Sequence, residues 1–191
     1  MPTLYQFHMS GNCYKVRLAA RHAGIDLTLH DVDMMGGETR SPEFLKLNPN
    51  GKLPTLALDD GRVLPESNAA MWWLAKDTAL WPKDEQYSHE PNIATRRFWA
   101  AFAPPERRHE RANRMQGWLE DGYAALQVME THLGRHDWFA GDGFTIADIA
   151  LYAYTHCADE GGFDLSRFPK VNAWLARVAA QPGHITMAVR I

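Results

Sequence analysis

The periodicity of apolar residues changes once along this chain, near residue 78, and that change limits the folds open to it. Before it, short β-type runs alternate with helix-period stretches; after it, only helical periodicity is found. The run TLYQF at residues 3–7 predicts a strand, followed by a polar break and a helix over residues 13–23. A second strand fits residues 27–32. After Gly36 and Gly37 a short helix fits residues 42–47, ended by the breakers NPNG at 48–51. Strands at residues 55–58 and 62–64 flank an Asp60-Gly61 hairpin step. The next helix begins near Glu66 and turns Ala70, Trp73 and Leu74 inward, so residues 1–78 read βαβαββα.

Residues 79–90 are polar and broken by Pro82, as expected of a linker. An all-helical bundle is expected over residues 91–191. Its first helix covers roughly residues 92–102 and stops at Pro104 and Pro105. A longer one spans residues 107–133, with Met115, Trp118, Leu119, Tyr123, Leu126, Met129 and Leu133 on one core-facing stripe. In FTIADIALYAY, Thr145 and Asp148 have the spacing of a capping box, which gives Asp148 a structural role. A last helix fits residues 171–180.

A formal net charge of −3 on 191 residues sets up no field suited to nucleic acid or to an anionic membrane surface. Small molecules or proteins are the expected partners. The two cysteines, Cys13 and Cys157, have no paired spacing, which fits a reducing compartment and predicts a cytoplasmic protein. Neither a signal-peptide pattern nor a run of ~18 apolar residues occurs, so no membrane span is expected. His132 and His136 have the i, i+4 spacing of metal ligands, but Gly134 between them should end the helix and no third ligand is nearby in sequence, so no metal is expected. The mixed-sign run ERRHER at 106–111 reads as a solvated face.

Three segments could carry chemistry. Ser10, Gly11, Asn12 and Cys13 lie between the first strand and the first helix, where free N–H groups and the helix dipole favour a thiolate; a helix cap accounts for Ser10 or Asn12 equally well. Leu53 precedes Pro54 at the start of a strand, and a cis bond there would turn the Leu53 main chain outward to pair with an extended ligand, although an ordinary trans bond is far commoner. Glu66 and Ser67 open the third helix, where they could hold the ammonium and carboxylate of an α-amino acid or simply cap it.

Taken in order, SGNCYKVR, PEFLKLNPNGKLPTL, PESNAAMWWLA and FTIADIALYAY resemble the cytosolic glutathione transferase family over essentially the whole chain. The resemblance implies a thioredoxin-like first domain, glutathione as co-substrate, a helical domain completing the cleft, and a homodimer. It implies that Ser10 hydrogen-bonds the glutathione sulfur, with Asn12 beside it as in bacterial members. Leu53 before Pro54 would pair with the cysteinyl main chain, Glu66 and Ser67 would hold the γ-glutamyl end, and Lys52 and Thr39 the glycyl end.

The chain departs from relatives at several points. Ser10 stands where glutaredoxins carry the first cysteine of CxxC, which weakens dithiol chemistry. SGNC keeps only the first serine of the Ser-Ser-Cys-Ser loop typical of the isomerase branch, and the break at Pro104 and Pro105 falls where the second substrate is shaped. The expected activity is thiolate attack on a small electrophile. A glutathione-dependent disulfide or peroxide reductase and a non-catalytic binding module remain the alternatives.

Overall fold

Strict alternation in β1 (Thr3–Gln6) buries Leu4 and Gln6 on one face of the sheet and leaves Thr3 and Tyr5 half-buried on the other. Gln6 points to α1 (Gly11–Ala23), where its carbonyl oxygen accepts from Arg17. Tyr5 points the other way, its ring 4.9 Å from His30 and 6.3 Å, edge-on, from Phe44 of α2 (Pro42–Leu47). The computed structural model describes residues 1–80 and 90–189. They fall into two compact units, Met1–Trp81 with Pro182–Ile191, and Pro82–Gln181.

The first unit has a four-stranded sheet of order β2-β1-β3-β4, with β2 at Thr28–Asp31, β3 at Thr55–Ala57 and β4 at Val63–Leu64. β1 and β2 are parallel; β3 is antiparallel to both β1 and β4. Helices α1 and α3 (Ser67–Ala75) pack together. Ala70 and Leu74 are buried as the sequence suggests, but Met71 takes the core position expected for Trp73, which is half-buried. α1 begins at Gly11, two residues before the expected start, because Ser10 caps it. It ends at Gly24, whose φ of 70° lets its N–H turn back to the carbonyls of Ala20 and Arg21. A 3-10 turn at Glu38–Arg40, too short for a periodic signal, was not foreseen from sequence.

Residues 182–189 return to the first unit and lie on α1. Tyr14 Oη donates to the Ile185 carbonyl at 2.7 Å, and Arg17 Nη2 to the Met187 carbonyl at 3.2 Å. His22 of α1 and His184 of this tail lie close enough for their charges to interact. Burial holds both imidazoles below the ordinary value; for His22 the charges of His184 and Arg21 add to the effect, against a hydrogen bond to the Pro182 carbonyl. Because the folded values lie below 6.5, the unfolded chain takes up these protons first. Their contribution to stability is complete above that pH and is lost as pH falls from about 6.5 toward the folded values. Melting temperature should therefore drop between pH 7.5 and 5.5, and the drop should shrink in a His22→Gln/His184→Gln variant.

The second unit is helical: α4 (Glu90–Arg97), α5 (Ala112–Leu133), α6 (Ile146–Thr155) and α7 (Pro169–Ala179). The expected linker falls largely on residues 81–89, outside the described residues. Phe98–Phe102 widens into a π-helical turn, closed by a 2.8 Å bond from the Ala103 N–H to the Phe98 carbonyl. Residues 107–111, expected at the start of the long helix, lie instead in a 3-10 segment over Pro105–Arg111. α5 has neither a capping side chain nor an acid in its first turn, and Arg107, Arg108 and Arg111 would crowd the positive end of a longer helix. Leu126, Met129 and Leu133 are buried as expected, whereas Met115, Trp118, Leu119 and Tyr123 are half-buried.

The capping box forms. Thr145 Oγ1 accepts from the Ala147 N–H at 3.2 Å and Asp148 Oδ2 from the Thr145 N–H at 3.0 Å. Among the described residues no helix is long and apolar enough to cross a membrane.

Candidate active site

Sheet register gathers the three candidate segments at one end of the first unit. Tyr5 pairs with Thr55 in an antiparallel ladder, so Pro54 and Leu53 continue it beside Gln6 and Phe7, where the chain leaves β1 for Ser10. Leu64 pairs with Leu56, which brings Glu66 to the same end. Leu53–Pro54 is the cis peptide bond, the less common of the two geometries open from sequence. Pro54 is buried and Leu53 half-buried.

Ser10 has extended backbone at the N-cap of α1, and its Oγ accepts from the Cys13 N–H at 3.4 Å. That bond uses a lone pair; the hydroxyl proton is a separate resource. The Ser10 N–H closes a turn onto the Phe7 carbonyl at 2.9 Å. Asn12, half-buried in the first turn, accepts at Oδ1 from Ser67 Oγ at 3.2 Å, which joins the first and third segments directly. Ser67 is thus the first residue of α3 rather than its cap, and Glu66 occupies the cap position without a side-chain cap bond. Its carboxylate is exposed. One turn further along α1, the buried Lys15 Nζ donates to Asn68 Oδ1 at 2.9 Å, so the Asn68 amide turns its NH2 away from α1.

The loop before the cis bond is organised by Asn48, which the sequence marks only as a helix breaker. Buried at 1% exposure, it donates to the Lys52 carbonyl at 3.0 Å and to Thr55 Oγ1 at 2.9 Å, and accepts from the Asn50 N–H at 3.0 Å. Thr55 Oγ1 donates in turn to the Lys52 carbonyl at 3.0 Å. Lys52 is exposed and Thr39 buried. The two come together around Gly51, whose φ is 60°; a Cβ there would lie 2.9 Å from the Thr39 carbonyl oxygen. Arg40, exposed beside them, donates from Nη1 to the Asn50 carbonyl at 3.3 Å and is a cation on this loop that sequence reading passed over.

Neither cysteine has the surroundings of a nucleophile. Burial pushes the Cys13 thiol up, against weaker opposing effects of hydrogen bonding and the Arg17 charge, and pushes Cys157 up to about 12. Both side chains are buried. A Cys13→Ala variant should keep more than about half of the wild-type turnover, because a thiol held neutral supplies no nucleophile; steady-state kinetics with glutathione checks this, and near-total loss at unchanged glutathione affinity would reassign the role.

A thioredoxin-like sheet unit with a helix-capping hydroxyl and a cis-proline at the same end, followed by a helical unit, defines the class. The N-terminal domain of glutathione S-transferase matches residues 9–77, and its C-terminal domain residues 94–182. A crystal structure of a possible glutathione S-transferase from Rhodopseudomonas palustris is 46% identical with a TM-score of 0.93, over 100% of this chain and 91% of that one. One of a glutathione S-transferase from Pseudomonas fluorescens is 44% identical with a TM-score of 0.89, over 98% and 99%. Glutathione S-transferase D7 of Anopheles gambiae is 31% identical over 92% of this chain and 85% of its own length. The chain belongs to the glutathione S-transferase family, and it is a glutathione transferase.

Proposed function

We propose that this transferase holds the glutathione sulfur as a thiolate through Ser10, with Asn12 beside it, and directs it at a small electrophile without a metal and without a covalent intermediate on the protein. The observation that carries the reading is the Ser10 geometry: its Oγ accepts from the helix N–H at 3.4 Å, so capping leaves its proton for the sulfur. A free thiol near pKa ~8.5 is only a few per cent ionised at neutral pH, and lowering it by about two units requires about 2.7 kcal/mol of differential stabilisation. A hydroxyl donor and a helix N-terminus are of that order together.

Along the remainder of glutathione, the Leu53 main chain pairs with the cysteinyl residue, and Glu66 meets the γ-glutamyl ammonium. Ser67 takes the adjoining carboxylate. Its single proton goes to Asn12, so the carboxylate is met first by the N–H groups that open α3. Exposed Lys52 serves the glycyl carboxylate, with Thr39 behind it. In this reading residues 1–78 bind glutathione, residues 79–90 link, residues 91–191 form the helical domain, and the protein works as a cytoplasmic homodimer.

The test is an activity panel with glutathione against a halogenated aromatic, a hydroperoxide and a mixed disulfide. Conjugation of the aromatic is the expected result. Turnover of the peroxide or disulfide alone would make the protein a reductase, and silence on all three despite measurable glutathione binding would make it a binding module. Light scattering at micromolar concentration should give twice the 21.7 kDa chain mass.

A further inference from the structure

We infer that Arg17 is a positioning residue for thiol activation, tying the C-terminal tail to the loop that carries Ser10, so that the tail helps to set the ionisation of the sulfur. The inference rests on the Ser10 reading above.

Arg17 sits in the middle of α1 with 0% exposure. A guanidinium there is costly to bury unless its donors are engaged, and an apolar residue would fill a helix–sheet interface more cheaply. Its donors reach three separate stretches of chain. Nη1 donates to Gln6 Oε1 on β1, and Nη2 donates at 3.2 Å to the His8 carbonyl and at 3.2 Å to the Met187 carbonyl. His8 lies two residues before Ser10, within the loop whose turn closes at Phe7 and Ser10. Gln6 is held in turn by its Nε2 bond to Asp31 Oδ1 at 3.0 Å.

The tail has a second attachment on the same helix. Tyr14, three residues before Arg17 and also at 0% exposure, donates to the Ile185 carbonyl at 2.7 Å, and the Arg17 guanidinium lies 5.8 Å from the centroid of its ring. Tail, helix and thiol loop are therefore held by one planar fork. Losing the tail carbonyl would leave Nη2 with the His8 carbonyl alone, free to swing toward the vacated side and so to loosen its hold on the loop. The cation also favours an ionised sulfur nearby, as it does at the Cys13 thiol three residues beyond Ser10, where burial outweighs it.

The experiment compares wild type, Arg17→Lys, Arg17→Met, Tyr14→Phe and Ser10→Ala by the ultraviolet thiolate band of bound glutathione across pH, with glutathione affinity and melting temperature measured alongside. Arg17→Met should raise the bound-thiol pKa by about one unit, and Arg17→Lys, which keeps the charge but loses the fork, by about half as much. Tyr14→Phe, which loosens only the tail, should shift it in the same direction, and adding it to Arg17→Lys should have little further effect because the tail is already released. Affinity should stay within about threefold, since no group holding the ligand is removed.

Lower melting temperatures with an unmoved thiol pKa in Arg17→Lys and Tyr14→Phe would overturn the inference and leave Arg17 a structural residue. If Arg17→Met does not fold, the two milder variants decide alone. A thiol pKa raised by Ser10→Ala but untouched in the Arg17 and Tyr14 variants refutes this inference only; one unmoved by Ser10→Ala refutes the reading beneath it.

Discussion

Replacing Asp148 by alanine should destabilise the protein by at least about 3 kcal/mol, enough to remove much of the 5–15 kcal/mol typical of a folded domain. The carboxylate is fully buried, and both oxygens are engaged. Oδ1 accepts from the Phe139 N–H at 3.1 Å and from Trp174 Nε1 at 2.9 Å; Oδ2 accepts from the Thr145 N–H at 3.0 Å and from Thr145 Oγ1 at 3.2 Å. Burial pushes its pKa up while these four donors pull against it, so the site depends on all of them. Alanine would strand two main-chain N–H groups and an indole N–H inside the second unit, each costing about 1–3 kcal/mol. It would also remove the capping box that starts α6. Asp148→Asn keeps one acceptor oxygen and should be milder. Urea denaturation curves of the three proteins check the order, and an Asp148→Ala variant within about 1 kcal/mol of wild type would show that water had replaced the network.

The largest effect on activity is expected at Ser10. If Ser10 donates to the sulfur as proposed, Ser10→Ala raises the bound-thiol pKa by about one unit, so kcat should fall by about threefold at pH 7 and about tenfold below pH 6, where the thiolate fraction follows the pKa directly, with little change in glutathione affinity. The same substitution removes the cap on α1 and should cost about 1 kcal/mol of stability. Cap and donor are thus not rival roles at this serine: the structure assigns the cap to its lone pair, and the two effects are read by different measurements. Asn12→Ala is the companion variant. If Ser10→Ala turns over normally and Asn12→Ala does not, the amide is the donor. Since Ser67 gives its proton to Asn12, Asn12→Ala should also change glutathione affinity, which the serine variant should not do.

The order of elements was legible because local chemistry and tertiary packing agree along most of the chain. Alternation in residues 3–7, the Asp60-Gly61 turn and the Thr145–Asp148 spacing each act within a few residues and are read directly. What escaped depends on partners far away in sequence. Nothing local marks Arg17 as buried, because its acceptors are Gln6 and the main chain at His8 and Met187. The return of residues 182–189 to α1 relies on the same carbonyls, which any sequence possesses. At the candidate site, Glu66-Ser67 looks like an ordinary helix start, and only the fold reveals that the serine hydroxyl is drawn to Asn12, 55 positions earlier. Asn48 reads as a turn residue although it orders the loop leading to Leu53. The arginines before α5 were visible, but their effect on where that helix begins follows from the missing acid and cap rather than from periodicity.

The central claim is that this fold ionises the glutathione sulfur through Ser10, and the most direct test is the pKa of bound glutathione, followed by thiolate absorbance in the wild type and in Ser10→Ala. The account predicts a wild-type value about two units below the ~8.5 of a free thiol, and a rise of about one unit in the variant. A wild-type complex whose thiol titrates near ~8.5, or a Ser10→Ala complex indistinguishable from wild type, would contradict it.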